Sequence, residues 1–70
     1  MNNSLMVHVR VDGRSPEFPY ALLDIAPTAT DDQLKQAVAE HLEVPLARLS
    51  DHVVVREGQA IVVRPEAVYG

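Results

Sequence analysis

The segment from Thr30 to Leu42 is the one stretch of this chain with helical periodicity, and strand-like runs stand on either side of it. Leu34, Ala37, Val38, His41 and Leu42 fall at i, i+3, i+4, i+7 and i+8 and line one stripe, whereas Asp32, Lys35, Gln36, Ala39 and Glu43 fall elsewhere. Ahead of the helix, Leu5, Val7, Val9 and Val11 alternate with Met6, His8, Arg10 and Asp12, the period-2 pattern of a half-buried strand. After it, His52 to Arg56 and Ala60 to Val63 are valine-rich strand candidates. A lone helix with one apolar stripe must bury it against something, and a sheet made from the flanking runs is the available surface.

Punctuation residues divide the rest. Asp12-Gly13 tolerates the positive φ of a hairpin turn, and Ser15-Pro16 lengthens the connection into an expected loop of several residues. Phe18 to Ile25 reads as a second strand, placed at a sheet edge because Pro19 lacks an amide hydrogen. Ala26-Pro27-Thr28 breaks it. Thr30 with Gln33 then forms a Thr-x-x-Gln capping box, and Asp31 and Asp32 lie in the first turn, where the helix dipole favours acids. Pro45 stops the helix near Glu43, and Leu46 and Leu49 are expected to pin the next loop to the core. Glu57-Gly58 is a second hairpin signal, and Pro65 is expected to end the last strand.

The order ββαββ predicts an α+β fold of β-grasp type. A right-handed crossover sets strand 4 beside and parallel to strand 1, giving a four-stranded mixed sheet in the order 2-1-4-3 with one helix packed on it. That order also places the Pro19-bearing strand at an edge. With 70 residues, one domain over 1–70 is expected, with 1–4 and 66–70 as flexible ends.

Composition narrows the chemistry. The absence of cysteine excludes disulfides, thiolate metal sites and thiol nucleophiles. Ten acids against six bases give a net charge of −4, which repels a phosphate backbone, and an aromatic content of 4% supplies few rings for stacking on bases. No nucleic acid, membrane or cofactor is therefore expected as a partner, and a cytoplasmic monomer is the expectation.

Leu23 to Thr30, then Leu34-Lys35 and Val38, then Val44-Pro45, resemble the ubiquitin-like family, in which strand 2 leads through a proline to a threonine-capped helix with an aliphatic-lysine pair and an aliphatic-proline step after it. The similarity spans Leu23 to Pro45, about a third of the chain. Two departures accompany it. Ubiquitin has an extra segment between its third and last strands where Glu57-Gly58 joins them here, and the conjugated members and sulfur carriers end in two glycines where this chain has Tyr69-Gly70. The resemblance implies a partner-docking role for the sheet face turned away from the helix.

Alternation is expected to bury Val7, Val9, Val53, Val55, Ile61 and Val63 and to turn His8, Arg10, Val54, Arg56, Val62 and Arg64 outward. Valines there offer desolvation and arginines offer forked donors to an acidic protein partner. The plain alternative is that valine suits strands and arginine solubilises a sheet face. A covalent modifier or sulfur carrier activated at Gly70 is the competing class, because a backbone carboxylate entering an activating enzyme favours a residue without a side chain. An assembly subunit pairing through an edge strand is a third.

Metal binding is not expected. His8 and His52 fall on strands 1 and 3 with strand 4 between them, roughly 9–10 Å apart, and His41 falls on the helix stripe. Asp31-Asp32 is accounted for by the helix dipole, and Ser4, Ser15 and Ser50 have no histidine and acid arranged around them in the sequence. The expectation is a non-catalytic protein.

Overall fold

The computed structural model describes residues 5–66. Its elements are β1 (Met6–Val9), β2 (Glu17–Pro19), a 3-10 turn over Tyr20–Leu23, α1 (Asp31–Leu42), a second 3-10 turn over Leu46–Leu49, β3 (His52–Glu57) and β4 (Ala60–Pro65). The four strands form one sheet in the order β2-β1-β4-β3, with β1 parallel to β4 and antiparallel pairs at either side. The expected α+β topology is the one observed, and one helix packs on a single side of the sheet.

The first hairpin is tighter than the loop expected from Ser15-Pro16. Val11 and Arg14 exchange backbone hydrogen bonds of 3.1 and 2.9 Å around Asp12 and Gly13, whose φ values are 52° and 76°. Two successive residues at positive φ are what a two-residue type I′ turn requires. From that turn the ladder runs without a slip: Val9 N–H donates to Pro16 O, and Val7 lies opposite Phe18.

Strand 2 is shorter than the expected Phe18 to Ile25. Leu5 O accepts from Tyr20 N–H at 2.8 Å, the last bond of this ladder among the described residues. The chain coils instead, burying Tyr20 and Leu23 at a spacing of three, and the Tyr20 hydroxyl donates to Ala26 O at 2.6 Å. Pro19 sits at the edge, as its missing amide hydrogen demands: in this register the β2 residues bonded to β1 are Phe18 and Tyr20, so the Pro19 nitrogen faces the open side.

Helix α1 begins with the expected capping box. Thr30 Oγ1 accepts from Gln33 N–H at 3.1 Å and Gln33 Oε1 accepts from Thr30 N–H at 2.9 Å. It ends at Glu43, which adopts φ 59° and donates to Ala39 O and Glu40 O, while Val44 N–H also reaches Ala39 O. This is a Schellman-type ending with glutamate in the place usually taken by glycine. Leu34 and Val38 are fully buried. Ala39, expected off the stripe, is buried too, while His41 is exposed, its ring resting on Phe18 with centroids 4.3 Å apart. Leu49 is fully buried as expected, but Leu46 is 48% exposed and does not anchor its loop.

The core is Val7, Val9, Val11, Phe18, Tyr20, Leu23, Leu34, Val38, Ala39, Leu49, Ile61 and Val63, between the helix and one side of the sheet. Pro65 does not end the β3–β4 pairing, since it stands opposite His52 and Glu66 N–H still donates to Asp51 O at 3.1 Å. Asp51 and Glu66 are thus a hydrogen-bonded pair. Alternation then makes His52 and Pro65 a non-bonded pair, so the missing amide hydrogen of Pro65 costs this ladder nothing.

Candidate protein-docking face

Which side chains reach the open face follows from strand parity. Val7, Val9, Ile61 and Val63 are at most 2% exposed and point at the helix, so their sequence neighbours point the other way. On β1 and β4 these are Met6, His8, Ala60, Val62 and Arg64, and Arg10 follows in phase beyond the end of β1.

β3 has the opposite phase from the expected one. Val54 lies opposite Val63 and Arg56 opposite Ile61, and directly opposed residues in an antiparallel pair share a side. Val54 accordingly packs against the core. Arg56 reaches the start of the helix, donating to Ala29 O at 3.1 Å and to the Asp31 carboxylate at 3.0 Å. Both leave the expected outward set. Val53 and Val55 replace them, opposite Arg64 and Val62. The signal was present in the turn: a two-residue turn at Gly58-Gln59 pairs Glu57 with Ala60, and any two-residue hairpin matches odd positions on one strand with even positions on the other.

The open face therefore reads in rows across the sheet. Glu17, His8, Val62 and Val55 form the middle row; Pro19, Met6, Ala60 and Glu57 lie on one side of it, and Arg10, Arg64 and Val53 on the other. Met6, Ala60, Val62, Val55 and Val53 make a contiguous aliphatic cluster, all partly exposed. No element among the described residues covers it.

Charge is uneven around this cluster. His8 Nδ1 lies 3.8 Å from Glu17 Oε2 at the β2 side. Arg10 and Arg64 each follow the last pair of the β1–β4 ladder, Val9 and Val63, with Arg10 N–H donating to Val63 O at 2.9 Å, and neither makes an ion pair with an acid among the described residues. By contrast Arg48 is held by Asp12 at 2.7 Å and Arg56 by Asp31. His8 and His52 are not only separated by β4 but lie on opposite faces, and His52 Nε2 is 2.7 Å from Arg10 O, tying the ends of β1 and β3 together. Because that contact is to a carbonyl oxygen, Nε2 carries the hydrogen and donates.

A mainly apolar cleft of about 210 Å³ lies between the first hairpin and the end of α1, lined by Val11, Asp12, Arg14, Pro16, Leu42 and Val44, below the usual range for a small-molecule site. Wider hollows of about 340, 380 and 420 Å³ elsewhere on the surface are open to solvent and of mixed polarity. No group of three or more His, Asp or Glu side chains able to hold a metal ion occurs among the described residues, and no helix among them is long and apolar enough to cross a membrane. Gly70 and residues 1–4 lie outside the described residues.

No protein-family model, no curated protein and no solved structure matches this chain.

Proposed function

We propose that this chain is a non-catalytic, ubiquitin-like protein-interaction module that docks an acidic partner protein on its open sheet face. The observation that carries the reading is the placement of Arg10 and Arg64, each next in sequence after the paired Val9 and Val63 and without acid partners among the described residues, beside an uncovered aliphatic cluster. A carboxylate-bearing partner supplies the missing acid while its apolar atoms dry Val53, Val55 and Val62. The same face is the one that the resemblance of Leu23 to Pro45 points to.

Affinity capture from the native cell with three forms of the protein tests this: unsubstituted, Arg10→Glu with Arg64→Glu, and Arg14→Glu. Arg14 pairs with Val11 and so belongs to the helix side. The expected result is a partner retained by the unsubstituted protein and the Arg14 variant and lost by the double variant. Partners that all survive the double reversal would remove the open face from consideration.

A further inference from the structure

The two edges of the sheet differ in kind. β2 is three residues long, and only Glu17 and Pro19 direct backbone groups outward, of which Pro19 has no N–H. Such an edge is blunted against pairing. β3 is six residues long, contains Val53, Val54 and Val55 in succession, and has neither proline nor bulge.

The hydrogen-bond phase of β3 is fixed by the Asp51–Glu66 pair. Val53, Val55 and Glu57 bond to β4, so His52, Val54 and Arg56 direct their N–H and C=O groups to the open side. One of these is occupied, because Lys35 Nζ donates to His52 O at 3.1 Å. The groups of Val54 and Arg56 have no backbone partner among the described residues.

We propose that the β3 edge accepts an extended segment of a partner protein as a fifth strand, with aliphatic side chains on the open face and acidic ones on the helix side. The backbone groups of Val54 and Arg56 supply the ladder, and alternate side chains supply selectivity. On the open face the added strand lies beside Val53 and Val55. On the helix side it lies beside Lys35 and Arg56, which retain unused N–H donors: only Nη2 of Arg56 is engaged and the side chain is 39% exposed. A second copy of this chain fits less well. Twofold pairing centred on Val54 sets Glu57 of one copy opposite Asp51 of the other, at both ends, between molecules that each carry −4. This surface is distinct from the open-face reading and shares with it only the two valines.

Amide-resolved NMR tests the proposal, with a short blocked peptide of alternating glutamate and valine as the probe and its lysine-valine counterpart as control. In the free protein the Val54 and Arg56 amides should exchange quickly and those of Val53 and Val55 slowly. Adding the glutamate peptide should slow exchange at Val54 and Arg56, and the lysine peptide should bind at least about tenfold more weakly. Val54→Pro deletes an outward N–H without touching the ladder and should abolish binding, whereas Arg10→Glu with Arg64→Glu should leave it intact, which separates this surface from the open face. Slow exchange at Val54 and Arg56 in the free protein would overturn the proposal even if the proline variant fails to fold. So would equal binding of the lysine peptide, shifts confined to His8 and Val62, or a concentration-dependent dimer that protects the same amides without any peptide.

Discussion

Exchanging one valine for aspartate at two neighbouring positions of β3 separates its two faces. Val54 stands opposite Val63, which is fully buried, and packs against the core. Since it is partly buried, losing it forfeits about half of the 1.5–3 kcal/mol that full burial of a valine contributes, and leaving a carboxylate there without a designed partner costs about 1–3 kcal/mol more. The sum is about 3 kcal/mol. Val55, opposite Val62 on the open face, loses only strand preference and lateral contact, at most about 1 kcal/mol. Both variants carry the same net charge, so long-range repulsion cancels between them. For a domain this size about 4–8 °C of melting temperature follows each kcal/mol, so Val54→Asp should melt roughly 12–24 °C below the unsubstituted protein and Val55→Asp less than about 8 °C below it. Thermal unfolding followed by circular dichroism reads the difference. Equal losses, or a greater loss at Val55, would refute the phase assigned to β3 and with it the composition of the open face.

Other positions give independent checks by urea unfolding. Leu34→Ala empties a fully buried site on α1 and should cost about 2–5 kcal/mol. Thr30→Ala removes the capping box and should cost about 1 kcal/mol, with faster amide exchange at Gln33. Glu43→Gly should raise stability by about 0.5–1 kcal/mol, because a left-handed residue costs about 1–2 kcal/mol unless it is glycine, and part of that gain is lost to chain entropy.

The topology was legible because each element carries its own signal: alternation through Val11, the Thr30 and Gln33 box, the Pro45 stop and the Gly58 turn. What escaped periodicity is equally specific. Val53, Val54 and Val55 are consecutive valines, so the run has no alternation from which a phase can be read, and only the turn settles which of them faces the helix. Phe18 to Ile25 has strand-like composition throughout, but Tyr20 to Leu23 coil into a 3-10 turn that buries Tyr20 and Leu23 at a spacing of three, a pattern that composition does not distinguish from a strand. Ser15-Pro16 suggests a loop, yet Pro16 stands in a hydrogen-bonded position of the ladder, where its carbonyl accepts from Val9 N–H and its missing amide hydrogen costs the pair its second bond. His41 has the helical spacing of a core residue, but an imidazole at the rim against Phe18 leaves its polar edge in water.

The shift of phase alters the chemistry available to a partner. With Val54 and Arg56 turned to the helix, the open face gains two valines, loses one, and keeps its unpaired cations at one end instead of around the cluster. In a chain of 70 residues most apolar side chains are needed in the core, so five partly exposed aliphatics on one uncovered face are a sizeable reserve. Completing the burial of each yields about 1 kcal/mol, or about 5 kcal/mol together. Association itself costs about 4–15 kcal/mol in lost freedom, so desolvation alone leaves no stable complex. On either docking proposal, a partner must also engage the donors of Arg10 and Arg64, or the free backbone groups of Val54 and Arg56, so that charge and hydrogen-bond geometry rather than apolar area would set the selectivity.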